Sequence, residues 1–264
     1  MTETITETVT QTMTFAGQAP LLIAHRGYSG RYPENTLIAY QAAFDCGARL
    51  VEIDLQLTAD LIPFLHHDLS IKRIADVDEV ICNINSTQLE THAASYPQRF
   101  GDEFSNNTFT RFKIFCEWLK LHSDVTAFVE IKQESIDHFD LATVMESTYK
   151  QILDTNTQSQ CIIISFNHEA IEYTQKKSTM KTGWVLPAWN DSSFKQLATL
   201  KPDFVFCDVE KLPQKNKDIW RGNWEWAIYN LDDVDSATVM ANRNIRFLET
   251  NEIGTLMNSK QLLK

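Results

Sequence analysis

Four short clusters of histidine, basic and acidic residues stand out in the first half of the chain, each within an apolar run or at its end. They are His25-Arg26-Gly27, Glu52-Ile53-Asp54, His66-His67-Asp68 and Glu130-Ile131-Lys132. Side chains at positions i and i+2 of a strand share a face, so Glu52 and Asp54 form one pair and Glu130 and Lys132 another. Converging carboxylates repel one another unless a positive group lies between them. A hard divalent cation, Mg²⁺ or Ca²⁺, prefers oxygen ligands, so a metal site is predicted.

This combination of residue types predicts metal-assisted cleavage of a phosphodiester. The cation would hold a phosphodiester oxygen and stabilise the charge that develops in the transition state. Two histidines would then act as general base and general acid. His66 and His67 are adjacent, and strand alternation directs only one of them into the site.

The elements that must position these clusters are short apolar strands, which alternate with polar or amphipathic segments. The predicted strands are Leu21–His25, Leu50–Leu55, Ile62–His66, Thr126–Lys132, Cys161–Phe166, Gly183–Leu186, Phe204–Cys207, Trp226–Tyr229 and Ile245–Leu248. The predicted helices include Asn35–Cys46, Thr110–His122 and Ile136–Leu153. With the short extended piece Ile62–His66 set aside, the strands make eight β/α units, and eight units in this length favour an α/β fold of the closed (β/α)8 TIM-barrel type. An open dinucleotide-binding sheet is disfavoured, because no G-x-G-x-x-G follows any strand.

The domain organisation is predicted to be simple. Residues 1–15 form a Thr-rich tail that we expect to be disordered, and residues 16–264 form a single domain. The stretch 69–107 interrupts the alternation of strands and helical segments. It is polar in composition and longer than an ordinary loop. We interpret it as a small insertion over the barrel mouth, a candidate lid or specificity element.

Composition and charge narrow the classes of partner. The net charge of -11 argues against nucleic acid and requires a local positive charge wherever an anionic substrate binds. The five cysteines form no C-x-x-C pair, which indicates a reducing compartment. Neither a secretory signal pattern nor an apolar run of membrane-spanning length is present, so we expect a cytoplasmic protein without a membrane span.

At the four clusters the sequence resembles the glycerophosphodiester phosphodiesterase family. The matching text is AHRGYSGRYPENTLIAYQAAFDCGARLVEIDLQLTAD, then IPFLHHD, then FVEIK, and it is densest from Leu22 to Arg73. HRG, PENT, E-x-D, HD and E-x-K in this order are highly specific together, although each is weak alone. The last predicted strand departs from the family pattern, since it reads FLETNEI where a Thr-Asp-x-Pro-like signal is usual.

The resemblance implies a metal-dependent hydrolase that releases glycerol 3-phosphate and an alcohol from a small phosphodiester, with a role for each matched residue. The implied roles are catalysis for His25 and His67, metal binding for Glu52, Asp54 and Glu130, phosphate binding for Arg26 and Lys132, and orientation of neighbouring groups for Glu34. From its place on a predicted strand, Trp226 is interpreted as an apolar wall for the glycerol or alcohol group, with plain barrel packing as the alternative. Phe166 is a further candidate for the mouth.

Three alternatives stay open at this stage. Either water or a neighbouring substrate hydroxyl attacks phosphorus, and the second route forms a cyclic phosphate. A lysophospholipase D-like enzyme for single-chain lipids would need an apolar groove built by residues 69–107, whose polar composition favours small soluble diesters instead. A phosphate-binding barrel without catalysis is the third reading, although the full set of site residues argues against it.

Overall fold

The structure is a computed structural model that describes residues 19–213 and 218–262. The strands are β1 (Leu21–His25), β2 (Leu50–Leu57), β3 (Pro63–Leu65), β4 (Thr126–Ile131), β5 (Cys161–Ser165), β6 (Thr182–Val185), β7 (Phe204–Asp208), β8 (Glu225–Tyr229) and β9 (Phe247–Thr250). The α-helices are α1 (Leu37–Asp45), α2 (Lys72–Ala75), α3 (Ser86–Leu89), α4 (Pro97–Phe100), α5 (Phe112–Leu121), α6 (Gln133–Phe139), α7 (Leu141–Thr155), α8 (His168–Lys177), α9 (Asp191–Leu200), α10 (Val234–Ala241) and α11 (Ile253–Met257). Short 3-10 turns lie at Ile81–Asn83, Gln158–Gln160 and Val209–Lys211.

All the strands except β3 are parallel and form a closed barrel. They pair in the order β1-β9-β8-β7-β6-β5-β4-β2, and β1 pairs again with β2, which closes the ring. β3 is antiparallel to the end of β2, with Leu55 opposite Leu65. The predicted (β/α)8 TIM barrel is therefore confirmed, with β3 as an addition at its rim.

Alternation along the strands separates an inner core from an outer one. The inner core is a compact cluster of aromatic and branched side chains, namely Ile23, Phe128, Ile162, Ile164, Val185, Phe204, Phe206, Ala227 and Phe247. The neighbouring strand residues pack outward against the helices in a larger cluster. Side chains two residues apart on a strand face the same way. His25, two residues after Ile23, and Glu130, two residues after Phe128, therefore face the barrel mouth.

The stretch 69–107 has a small apolar core of its own. It holds α2, α3 and α4, and it packs around the buried residues Phe64, Ile71, Ile74, Ile81, Cys82, Ile84, Leu89, Ala94 and Phe109. The Arg99 guanidinium donates to the backbone carbonyls of Ser29 and Gly30 at 2.9 and 2.8 Å, which attaches the stretch to the loop after β1. The polar residues of the stretch therefore lie mainly at its surface, while its apolar residues form this core.

Three predictions about individual elements need comment. The prediction of a single helix Ile136–Leu153 is wrong, because Asp140 adopts φ 73° and separates α6 from α7. The Asp140 carboxylate accepts a hydrogen bond from the backbone N–H of Thr143 at 2.9 Å, so it caps the second helix. β9 runs two residues further than predicted, to Thr250. The predicted tail, residues 1–15, lies outside the described residues.

The helices also bear on the membrane prediction. None of those described combines the length and the apolar character that crossing a bilayer requires.

Candidate active site

A cavity opens at the carboxyl ends of the barrel strands. Its lining consists of His25, Arg26, Glu52, His67, Glu130, Lys132, Ile164, Phe166, Val185, Phe206, Tyr229, Asn230 and Glu249. The side formed by β1, β2 and β4 is charged, whereas the side formed by β5 to β8 is mainly apolar and aromatic. The cavity can therefore receive a molecule with one anionic end and one carbon-rich end.

Three carboxylates converge on the charged side, those of the buried residues Glu52 and Asp54 and that of the partly buried Glu130. One oxygen each from Glu52, Asp54 and Glu130 lies within 4.8 Å of the other two. Burial, followed by the charge of Asp54, raises the pKa of Glu52, and burial also raises the pKa of Glu130. Among the described residues no hydrogen bond reaches Glu52 Oε1 or Asp54 Oδ1. A buried oxygen without a hydrogen bond, such as Glu52 Oε1, fits a hard divalent cation, which takes carboxylate oxygens as ligands.

Asp54 is the carboxylate that stays most strongly ionised. Its Oδ2 lies 2.8 Å from Arg26 Nε, and its Oδ1 lies 3.3 Å from Lys132 Nζ. Burial alone would raise the pKa of Asp54, but the charges of Arg26 and Lys132 hold it well below its usual range. Asn35 donates to Asp54 Oδ2 at 2.9 Å and accepts from the Asp54 backbone N–H at 3.2 Å. Asn35 was not predicted as a site residue, although it belongs to the PENT motif.

Arg26 and Lys132 bring positive charge into the cavity. The chain turns sharply after β1 with φ 56° at Arg26 and 80° at Gly27, which aims the Arg26 side chain at the carboxylates. A Cβ at Gly27 would lie 2.7 Å from the backbone of Ala39, so only glycine fits this turn. Lys132 Nζ donates to Glu130 Oε1 at 2.8 Å. These two side chains supply part of the local positive charge that an anionic substrate requires in an acidic protein.

His25 is partly buried and held in one orientation. Its Nδ1 lies 2.9 Å from Asn251 Oδ1, and its Nε2 lies 3.9 Å from Glu52 Oε2 and 3.5 Å from Glu249 Oε1. Burial, followed by the charge of Arg26, lowers the pKa of His25 to about 3, so the ring is neutral near pH 7. A neutral imidazole with its Nε2 facing the cavity can accept a proton.

The two adjacent histidines point to different places. His67 lines the cavity, and its Nδ1 lies 2.6 Å from Asp68 Oδ1. His66 is buried, with its ring edge-on to Phe109 and its Nε2 3.2 Å from the Ser70 carbonyl. The alternation of β3 therefore directs His66 into the core of the 69–107 stretch and leaves His67 at the cavity.

A chain of ion pairs runs along the charged side of the cavity, which we call the charged wall, from Arg26 to Asp68. Glu34 accepts from Arg26 at 2.9 Å and from both terminal nitrogens of Arg73 at 2.6 and 2.8 Å. Arg73 Nε donates to Asp68 Oδ2 at 2.7 Å. Burial opposes ionisation of Asp68, but hydrogen bonds with His67 and Arg73 hold its pKa well below its usual range. Arg73 was missed by sequence reasoning because its partners come from separate loops.

The interpretation of Trp226 as a wall of the cavity is corrected. Its position on β8 has the outward parity, next to inward-facing Ala227, and its indole N–H donates to the Trp220 carbonyl at 2.9 Å. Its ring stacks on Trp189 at 5.4 Å between centroids. Trp226 thus belongs to the outer packing, whereas Phe166 and Tyr229 line the cavity.

Two further residues at the end of β9 were not predicted. Glu249 and Asn251 both approach His25, and they stand two residues apart, as inward-facing strand positions do. The signal was available, because Glu249 directly follows the predicted strand Ile245–Leu248 with the same parity as Phe247.

Comparisons with known proteins agree on one family. Residues 25–255 match the sequence model of the Glycerophosphoryl diester phosphodiesterase family. A glycerophosphodiester phosphodiesterase of Caldanaerobacter subterraneus subsp. tengcongensis is 25% identical over 245 residues, which cover 90% of this chain and 96% of that protein.

Solved structures share the barrel. An Oleispira antarctica phosphodiesterase, in complex with the product sn-glycerol-3-phosphate, aligns with a TM-score of 0.81 at 22% identity and covers 90% of this chain and 95% of that chain. A Silicibacter pomeroyi structure, described as a glycerophosphoryl diester phosphodiesterase, aligns at 0.79 and 16% identity over 91% of this chain and 92% of that chain. At these identities the structures establish the fold.

Proposed function

Because the chain belongs to the glycerophosphoryl diester phosphodiesterase family, we propose that its barrel site hydrolyses glycerophosphodiesters to glycerol 3-phosphate and an alcohol, with a divalent cation and two histidines. The protein is a phosphoric diester hydrolase. The observation that carries the proposal is the convergence of Glu52, Asp54 and Glu130 beside Arg26 and Lys132. The sn-glycerol-3-phosphate in the Oleispira antarctica phosphodiesterase supports the same product here.

The charged wall is suited to a phosphodiester anion. Glu52, Asp54 and Glu130 would hold Mg²⁺ or Ca²⁺, which when bound grips a phosphoryl oxygen and offsets its growing negative charge. Arg26 and Lys132 line the same cavity and provide N–H donors for the remaining phosphate oxygens. Glu34 holds the Arg26 guanidinium at 2.9 Å, which keeps that donor directed at the site.

The two cavity histidines divide the proton transfers. His25 places Nδ1 against Asn251, and His67 places Nδ1 against Asp68, so each ring presents Nε2 to the substrate. One histidine takes the proton of the attacking hydroxyl, and the other gives a proton to the departing alkoxide. Attack by water and attack by a neighbouring substrate hydroxyl need the same pair, so both routes fit the geometry.

The composition of the cavity lining supports a small alcohol group as the leaving group. Phe166, Phe206 and Tyr229 offer aromatic surface to the carbon atoms of the substrate. Among the described residues, the cavity lining draws on none of the stretch 69–107, whose apolar side chains are used in its own core. The apolar groove that a lysophospholipase D-like enzyme would need from this stretch is therefore not supported.

The proposal is tested by release of glycerol 3-phosphate from glycerophosphocholine. We expect release to stop after treatment with EDTA and to return on addition of Mg²⁺ or Ca²⁺. Full turnover by the chelated protein would refute the metal dependence. If neither cation supports release but lysophosphatidylcholine is cleaved, the hypothesis of a lysophospholipase D-like enzyme replaces the proposal. Thermal stabilisation by ligand without turnover of either substrate would indicate a binding protein.

A further inference from the structure

A second group of ligand-type atoms lies beside the three carboxylates, between the ends of β1 and β9. His25 Nε2 is 3.5 Å from Glu249 Oε1 and 3.9 Å from Glu52 Oε2. Ligand atoms of the three residues all lie within 4.8 Å of one another. Glu52 and Glu249 are 2% and 3% exposed, and all three residues line the cavity.

The Asn251 side chain fixes which nitrogen of the His25 ring faces this group. The Asn251 side-chain amide donates to Asp232 Oδ2 at 2.8 Å, so its carbonyl oxygen is the atom that faces His25 Nδ1 at 2.9 Å. That oxygen can only accept, which places the ring proton on Nδ1. Nε2, the other ring nitrogen, faces the Glu249 and Glu52 carboxylates at 3.5 and 3.9 Å.

One imidazole nitrogen and two carboxylate oxygens that face one another are a donor set that a divalent cation can join. In the part of the chain that the structure describes, no hydrogen bond reaches Glu52 Oε1 or Glu249 Oε2, although both atoms are buried. The succession of imidazole, carboxamide and carboxylate in His25, Asn251 and Asp232 is the outer support that metal-ligating histidines have. The geometry and the unpartnered oxygens therefore point to a cation.

We propose that His25, Glu52 and Glu249 form a second cation site, which shares Glu52 with the carboxylate trio. Its donors differ from those of the trio, because one is an imidazole nitrogen. Imidazole with carboxylates suits a borderline cation such as Zn²⁺, whereas oxygen donors alone suit Mg²⁺ or Ca²⁺. The barrel mouth thus offers adjacent sites for two kinds of divalent cation.

Occupation of this site has a consequence for catalysis. A cation on His25 Nε2 occupies the lone pair that proton transfer needs, so Zn²⁺ inhibits the hydrolase in the presence of Mg²⁺. This consequence rests on the proposed function, but the binding itself does not.

The test is calorimetric titration of Zn²⁺ into the full chain in saturating Mg²⁺. We expect one Zn²⁺ per chain, at least tenfold weaker binding by Glu249→Gln, and unchanged binding by the control Glu252→Gln, which alters a carboxylate of the same loop. Glu130→Gln removes the trio and should retain the Zn²⁺. Equal affinity of wild type and Glu249→Gln, loss of binding in Glu130→Gln, or no binding by wild type would each overturn the site.

A spectroscopic measurement covers the case in which a variant folds poorly. Zinc X-ray absorption of the wild-type complex should contain imidazole scattering, and its absence would overturn the ligation by His25. Zn²⁺ should also reduce glycerol 3-phosphate release by the Mg²⁺-loaded wild type. If the protein binds Zn²⁺ but releases no glycerol 3-phosphate with any activating metal, the proposed function fails while the second site stands.

Discussion

Arg73 lies in the 69–107 stretch and connects it to the charged wall. Its removal offers a sharp test of how His67 is oriented. The Arg73 guanidinium makes two hydrogen bonds to Glu34, at 2.6 and 2.8 Å, and one to Asp68, at 2.7 Å. Asp68 in turn holds His67 Nδ1 at 2.6 Å. The substitution Arg73→Met keeps most of the side-chain stem and removes all three hydrogen bonds.

The expected effect divides between stability and catalysis. A hydrogen bond to a charged group contributes about 1.5–3 kcal/mol. Glu34 keeps Arg26 as a partner, Asp68 keeps His67, and Arg73 is 29% exposed, so we expect a loss of only about 2–3 kcal/mol in the free energy of unfolding. With Asp68 no longer held, a misplacement of His67 by about 1 Å should lower kcat by roughly 10²-fold, or about 2.7 kcal/mol in the barrier. KM should change little, because Arg73 is not among the described residues that line the cavity.

The assay is steady-state release of glycerol 3-phosphate by wild type, Arg73→Met and Arg99→Met. Arg99 belongs to the same stretch, but its guanidinium contacts the backbone carbonyls of Ser29 and Gly30 and does not contact Asp68 or His67. The control should therefore share any loosening of the stretch and keep its kcat. Added guanidinium should partly restore Arg73→Ala. Equal losses in Arg73→Met and Arg99→Met, or a higher KM with normal kcat, would refute the positioning role.

Three further predictions concern neighbouring residues. Burial opposes ionisation of Glu34, but hydrogen bonds from Arg73 and the charge of Arg26 lower its pKa from 4.5 to about 2. The resulting stability, about 3 kcal/mol, is present above pH 4.5 and is lost as the pH falls towards 2. In urea, the free energy of unfolding of Glu34→Gln should be lower than that of wild type by that amount at pH 6 and equal to it near pH 2. A difference that stays constant with pH would contradict this. His67→Ala should lower kcat by about 10²–10⁴-fold while His66→Ala lowers only the melting temperature, and equal kcat losses would reject the assignment. Phe166→Ala should raise KM while Trp226→Phe leaves it unchanged, and a higher KM in Trp226→Phe would restore the tryptophan to the cavity.

Most of the barrel was predictable because parallel strands buried on both faces leave a strong local signal. Runs such as Cys161–Phe166 and Phe204–Cys207 are short, apolar and bounded by polar residues, and the structure places β5 and β7 within one residue of them. The cluster residues were predictable for a related reason. A strand's end and its parity are local properties, and together they direct Glu52, Asp54 and Glu130 into the mouth.

What escaped prediction depends on contacts that no local pattern contains. Helix propensity continues through Asp140, but the φ of 73° there ends α6 and separates it from α7. The inward packing of Ile74 and Leu89 in the 69–107 stretch was hidden by the polar residues between them. Trp226 was assigned to the site from its place on a strand, although its parity is opposite to that of inward-facing Ala227 and directs it outward.

The unpredicted residues around His25 show why closure of the barrel matters for the chemistry. β9 pairs with β1 in the register that sets Glu249 opposite Ile23 and Thr250 opposite Ala24, across more than two hundred residues of chain. This register alone brings Glu249 to Nε2 and Asn251 to Nδ1 of the same ring. A slip of one residue would turn Thr250 inward and remove both contacts. Parity thus identifies which residues face the mouth, while strand pairing decides which of them meet. The proposed second cation site depends on this pairing, so a motif search along the first half of the chain could not have found it.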